Sequence, residues 1–306
     1  MNEDVFDKYM KAGRIAATAR DTGADHIKPG VSFSEIVNEI ESIITDNGAG
    51  IAFPTNISVN HIAAHFTPPK GDGHVFHKGD VVKVDVGAHV DGYIADTAIT
   101  IEVETNEYES LRKASAEALS SAISLMKPGV KLSIIGKTVE ETITKYGFKP
   151  IDNLTGHSLN RFNLHSGMSV PSIASMSFQR KPRTDDVIAV EPFATTGSGH
   201  VISGSGSHIY LLKNGMNFRR LRDRRSRLMI KKLQHRFHSL PFASRWCEGV
   251  ISHVDQSLLW LEQKGMLHHF PQLIEQNKGM VSQKEHTMII TEDGCQVTTY
   301  GKDDEQ

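Results

Sequence analysis

The sequence predicts an α/β fold of the α+β kind, built by an internal pseudo-two-fold duplication and carrying a helical insertion subdomain. Three observations predict it. Residues 27–48 (IKPGVSFSEIVNEIESIITDNG) align without gaps on residues 126–147 (MKPGVKLSIIGKTVEETITKYG), with ten identities that include Lys28/Lys127, Pro29/Pro128, Gly30/Gly129, Glu41/Glu140 and Gly48/Gly147. Val/Ile-rich runs bearing acids follow each copy: DVVKVD (80–85) is echoed by DVIAVE (186–191), and ADTAITI (95–101) by KEHTMII (284–290). The second pair of runs lies far apart in the chain, where the first pair needs only a short turn.

The elements follow in order. Residues 3–24 have helix-forming composition and lead to the Lys-Pro-Gly turn at 28–30. Val31, Phe33, Ile36, Val37, Ile40, Ile43 and Ile44 then recur at helical spacing and stop at Gly48. Residues 80–101 read as a hairpin: VVKVDV, a turn from His89 to Gly92, then YIADTAITI. The second copy repeats the plan, with a helix near 106–126, a second helix ending at Gly147, and strands at 187–193 and 284–291. The stretch interrupting that second hairpin is basic and helical at its centre (LRDRRSRLMIKKLQHRF, HVDQSLLWLEQKGML). It is assigned to residues 208–280, between the Gly/Ser-rich TTGSGHVISGSGSH and NKGMVSQ, and residues 1–207 and 281–306 form the main domain.

Bulk properties narrow the function. A chain of 306 residues supports one large domain or two modest ones. A net charge of −2 gives no global signal for nucleic acid, and DNA is not an expected partner. Two cysteines, Cys247 and Cys295, make no disulfide framework and fit a reducing, cytoplasmic setting. MNEDVFDKYM lacks the apolar core of a secretory signal, and no apolar run approaches the ~20 residues needed to span a bilayer.

The acids carry the chemistry. In a hairpin centred between residues 90 and 91, Asp85 and Asp96 would be directly opposite; a tighter Asp91–Gly92 turn would offset them by two residues and keep them on one face. Carboxylates this close repel one another unless a cation neutralises them. One strand Asp alone is well explained by a salt bridge. Four acids at pseudo-symmetric positions, Asp85 with Glu191 and Asp96 with Glu285, favour divalent metal instead, with room for two ions ~3.5–4 Å apart. Among 16 histidines, His65 and His165 are related by the repeat, and His157 shares facing parity with His165 eight residues later. His157, after Thr155–Gly156, suits a neutral imidazole ligand. Rival signatures are missing: there is no Walker loop, no GxSxG elbow and no HExxH, and GSGHVISGSG lacks a strand–turn–helix context.

In the order AHFTP, KVDVGAH, DGYIADTA, GHSLNRFNLH, VEPFAT and KEHTMIIT, with LPFASRW inside the insertion, the chain resembles the type II methionine aminopeptidases of the pita-bread (creatinase/aminopeptidase) fold. Lacking a long charged N-terminal extension, it resembles their archaeal form. The resemblance implies removal of the N-terminal methionine from nascent proteins with a small second residue, by a metal-bridged hydroxide. It implies two divalent ions (Co, Mn, Fe or Zn) held by Asp85, Asp96, His157, Glu191 and Glu285, with Asp96 and Glu285 bridging. It also implies that His65 and His165 contact the scissile carbonyl, that Glu191 shuttles a proton to the leaving amine, and that Phe53, His208 and Phe270 wall the methionine pocket. A monomer acting on nascent polypeptide N-termini is expected.

Two alternatives stay open on sequence. An aminopeptidase P or prolidase shares the five-ligand set, although the insertion and LPFASRW argue against it. A non-catalytic binding module would use Arg219, Arg220, Arg222, Arg224, Arg225, Arg227, Lys231 and Lys232 to contact RNA or the ribosome; a solvated helix face explains the same charges.

Overall fold

A computed structural model of the chain describes residues 1–213, 223–302 and 304. The first half opens with helices α1 (Glu3–His26) and α2 (Phe33–Asp46). Ser32 starts α2 by accepting a hydrogen bond from the Glu35 amide, a Ser-x-x-Glu N-terminus as the sequence spells it. Strands β1 (Gly50–Val59), β2 (Ile62–Ala64), β3 (Val81–Val90) and β4 (Tyr93–Glu102) follow. The apolar faces of α1 and α2 cover the β1-β3-β4 sheet, with Ile36, Val37, Ile40 and Ile44 packed against Ile57, Val82, Val84 and Val86.

The second half repeats this. Helices α3 (Glu109–Leu125) and α4 (Leu132–Lys145) precede β5 (Lys149–Pro150), β6 (Thr155–Leu159), β7 (Ser169–Pro171), β8 (Val187–Val190) and β9 (Phe193–Thr195). The duplication extends to backbone detail: Gly30 and Gly129 have φ of 86° and 83°, and Gly48 and Gly147 have 75° and 82°, a left-handed region that glycine enters without steric cost.

The interruption begins with β10 (Val201–Leu212), continues through α5 (Arg224–Phe237), β11 (Phe242–Ala243) and α6 (Val254–Gln263), and returns as β12 (Leu267–Glu275). Strands β13 (Val281–Gln283), β14 (His286–Ile290) and β15 (Cys295–Val297) complete the chain's second sheet system. Helices α5 and α6 fall where helical composition placed them and share a core of their own, including Met229, Ile230, Leu233, Phe237, Leu258 and Leu261. β12 was not foreseen. It pairs antiparallel with β10 and with β2 in a sheet ordered β11-β10-β12-β2, so the stretch is also woven into the main body. Arg219, Arg220 and Arg222 lie outside the described residues.

Strand β14 sits between β15 and β8 in the five-stranded sheet β15-β14-β8-β6-β7. It meets the first half's sheet where Ala98 and Glu285 form a β-bridge, with mutual backbone hydrogen bonds of 3.4 and 2.9 Å. That seam between the two halves positions the site. Among the described residues no helix is long and apolar enough to cross a membrane.

Candidate metal centre

The β3–β4 turn is the tighter of the two anticipated. Val90 pairs with Tyr93 across Asp91–Gly92, so Asp85 lies opposite Ala98 and Asp96 opposite Gly87. The acids keep one face, offset by two residues. Across the pseudo-two-fold, His286 pairs with Val190, which brings Glu285 and Glu191 to adjacent strand ends. His157 pairs with Ala189 on β6.

These elements converge on one cavity of about 520 Å³ of open space. Its lining includes Asp85, Asp96, His157, Glu191, Glu285, His65 and His165, with Phe53, Leu164, Ile209, Pro241 and Phe270 as apolar wall. Nine of the ten residues singled out in the sequence are therefore together. His208 is not: it borders a separate cavity with Tyr210, Asp255 and His269, while its neighbour Ile209 lines this one. Successive side chains on a strand point to opposite faces, and the irregular register between Gly206 and Tyr210 decides which residue of β10 turns inward.

The centre is a set of acids short of partners. Asp96, Glu285 and His157 are 4%, 1% and 8% exposed, and each can place one ligand atom within 4.8 Å of the others'. His157 Nε2 is 3.6 Å from Asp96 Oδ2 and 3.8 Å from Glu191 Oε1. Among the described residues, Asp85 Oδ1, Asp96 Oδ1 and Glu285 Oε1 are buried with no hydrogen-bond partner. Burial pushes Asp85 up to about 7. Burial and then mutual repulsion hold Asp96 and Glu285 well above the carboxylate range, and burial with the Asp85 charge does the same to Glu191. Burial and the neighbouring His165 depress His157 to about 3, leaving a neutral ring. Orphaned carboxylate oxygens beside a neutral imidazole fit a divalent cation, because unpaired buried acids are costly and an O/N donor set suits such ions.

Supporting contacts set the shape. Gly87 has no side chain because the Phe53 ring occupies its face: a Cβ there would fall 2.2 Å from Phe53 Cε1. The His157 and His165 rings meet edge to face at 4.4 Å, as do His65 and Phe270 at 5.3 Å. His65 holds a φ of 63°, a left-handed conformation that costs energy for a residue with a Cβ and clusters at functional sites. Gln283 was missed by the sequence reading. Its Nε2 donates to Glu285 Oε2 at 3.2 Å and approaches Glu191 Oε2 at 3.4 Å, which makes it a donor to the acid cluster. Its signal was present: it stands two residues before Glu285, on the same face of an extended segment.

A duplicated α/β scaffold that brings four acids and an imidazole together beside an apolar wall has the donor set of a metal centre. The chain belongs to metallopeptidase family M24, whose model matches residues 7–223, and family membership implies use of a divalent metal. It is 43% identical over 295 residues to the methionine aminopeptidase of Pyrococcus abyssi, covering 96% of this chain and 99% of that protein. Among solved structures it resembles the methionine aminopeptidase of Thermotoga maritima (TM-score 0.71, 23% identity, 98% of both chains). It also resembles a prolidase from Pyrococcus furiosus (TM-score 0.63, 19% identity, 98% of this chain and 65% of that one). The fold is thus the pita-bread fold that the sequence resemblance implied.

Proposed function

We infer that the chain is a methionine aminopeptidase, which hydrolyses the first peptide bond of polypeptides that begin with methionine. The observation that carries this reading is the convergence of orphaned acids with an apolar wall in one cavity, in a chain similar over nearly its whole length to proteins of that name. Asp85, Asp96, His157, Glu191 and Glu285 would hold two divalent ions, with Co, Mn, Fe and Zn all compatible with the donor set. When bound, such ions polarise a carbonyl and lower the pKa of water toward ~7.

The chain's own groups do the rest. Phe53, Leu164, Ile209, Pro241 and Phe270 receive the thioether side chain and exclude water around it. The acid-rich floor favours a free α-ammonium group and so selects the chain's first residue. His65 and His165 flank the acids and offer N–H donors to the oxygen that gains charge in the transition state. Glu191, at the edge of the acid cluster, passes a proton to the departing amine. The neighbouring space lined by Thr155, Met168, Ser169, Phe193 and Leu273 adjoins the same histidines and takes the polypeptide beyond the scissile bond; small second residues pass most readily.

The reading extends to organisation and setting. Residues 208–280 act as an insertion on a catalytic unit of 1–207 and 281–306, and the chain works as a monomer in the cytoplasm. The ribosome is the partner that would bring nascent N-termini to it. Arg224, Arg225, Arg227, Lys231 and Lys232 supply a basic helical face for ribosomal RNA, with affinity that falls steeply as salt rises. A flat salt response, or no effect of charge reversal at Arg224 and Arg225, would remove that partner.

The test is methionine release from Met-Ala-Ser, with Met-Leu-Ser and Ala-Pro-Ala alongside, on chelator-stripped protein before and after Mn²⁺ or Co²⁺. Metal-dependent cleavage of the first peptide alone is the expected result. Cleavage of only the proline peptide would move the chain to prolidase chemistry, and no cleavage despite bound metal would make it a binding module.

A further inference from the structure

The seam that presents Asp96 and Glu285 is fastened from behind by a buried cluster that the chemistry above does not use. Arg20 on α1 is 1% exposed. Its Nε donates to Asp21 Oδ1 at 2.8 Å, its Nη2 to Asp304 Oδ2 at 3.0 Å, and its Nη1 to Thr299 O at 3.4 Å and to Thr97 Oγ1. Thr97 Oγ1 donates in turn to the Glu285 carbonyl at 2.9 Å. Asp304 also bonds Lys284 Nζ at 2.6 Å and lies 3.5 Å from His286 Nε2, so it grips both sequence neighbours of Glu285. Thr299 Oγ1 accepts from the Thr287 amide at 3.1 Å, and Thr287 Oγ1 exchanges 2.8 Å hydrogen bonds with the Asp96 amide and carbonyl. Two of its paths, through Thr97 and through Thr299 and Thr287, end on the backbone of Glu285 or Asp96, while the Gly301 and Lys302 amides of the terminal segment donate to Asp304 and Asp21.

Its charges balance: Arg20 and Lys284 against Asp21 and Asp304. Its hydrogen bonds reach the Asp96 and Glu285 backbones, and the Arg20 charge also favours ionised Glu285 against the larger effect of burial. Outer contacts of this kind orient ligands, and their loss weakens metal binding by about 10- to 100-fold. A second link, the exposed Lys302–Asp25 side-chain pair, also ties the terminal segment to α1, and the Lys302 amide donates to Asp21 Oδ2 at 3.2 Å.

We propose that Asp304 and Arg20 are positioning residues for the metal centre, holding the Asp96 and Glu285 backbones in register across the two halves. The proposal rests on the metal reading of the site. The experiment is calorimetric titration of Mn²⁺ into chelator-stripped full-length protein, well below its melting temperature, for wild type, Asp304→Asn, Asp304→Glu and Asp25→Asn. Asp304→Asn should weaken Mn²⁺ binding at least about tenfold, with Asp304→Glu partly restoring it and Asp25→Asn matching wild type. At saturating Mn²⁺, kcat of Asp304→Asn should recover most of its wild-type value. Affinity within twofold of wild type, with only the melting temperature lowered, would overturn the proposal; so would an equal loss in Asp25→Asn. Should Asp304→Asn not fold, Arg20→Lys is read the same way, since it keeps the buried charge and loses the planar fork of donors. A wild-type chain that binds no Mn²⁺ would defeat the metal reading itself, a result distinct from equal binding by wild type and variant.

Discussion

Asp85 and Asp96 face one cavity from neighbouring strands and are diagonal, not opposed: Asp85 stands across from Ala98, and Asp96 across from Gly87. A diagonal pair in an antiparallel sheet is ~7–8 Å apart at Cα, wider than a directly opposed pair. That gap admits a cation between the carboxylates. Asp96→Asn removes one arm while keeping its shape. The variant should bind at least one ion fewer per chain by elemental analysis, and metal-dependent methionine release should fall at least about 100-fold, because the ions supply several kcal/mol of charge stabilisation. Full dual occupancy in Asp96→Asn would contradict the proposal that it bridges two ions.

His165 separates chemistry from metal binding. It lines the cavity beside His157, and the proposed function gives it, with His65, the scissile carbonyl. His165→Ala should keep the wild-type metal content and lose about 100-fold in kcat, the scale of one lost oxyanion donor. Loss of an ion would show that the ring is a ligand after all.

The pH dependence of the chelator-stripped chain follows from two opposed sets of groups. Burial holds His65 near 4 and His157 near 3 in the folded chain, so their contribution is lost only as pH falls below about 6.5. Asp85 is raised to about 7, with Asp96, Glu191 and Glu285 raised too. For raised acids the folded chain holds protons that the unfolded chain has released, so stability falls as pH rises. Above about 7.5 the histidines are largely neutral in both states and the acids alone remain. The melting temperature of the stripped protein should therefore decline from about pH 7.5 to about 8.5, and saturating Mn²⁺ should abolish the decline. A flat or rising profile in the stripped protein would show that the acids are compensated by something other than metal.

Glu41 joins the insertion to the first half. Its carboxylate accepts from Arg245, from Trp246 Nε1 at 2.8 Å and from the Thr55 amide at 3.4 Å. Glu41→Gln leaves Arg245 largely buried without its counter-charge, a change worth roughly 3 kcal/mol or more. Urea unfolding should show a loss of that order. A change below about 0.5 kcal/mol, typical of surface substitutions, would mean that the pair is not a working anchor.

Much of this was legible before any coordinates. The Lys-Pro-Gly repeat forecast the paired helices because proline and glycine constrain the backbone locally, and the hairpin acids were legible because period-two alternation assigns each residue a face. β12 was not: its polar HHFPQ and Pro271 hide a strand that exists through tertiary pairing with β10 and β2. The inward turn of Ile209 instead of His208 depends on a register irregularity, which no local pattern encodes. Arg20 escaped for another reason. A buried guanidinium reveals its role only through its partners, and those partners are up to 284 residues away in the chain.

The β10–β12 ribbon has one further consequence. Ile209 and Phe270, two apolar residues of the cavity wall, sit on strands that lead outward toward α5 and α6. The ribbon is therefore a direct covalent connection between the outer helices and part of the cavity wall, whereas the acids stand on or beside other strands at the seam. This part of the wall and the acids thus belong to different sheets, so a substitution in the ribbon can reshape the one without replacing any residue of the other.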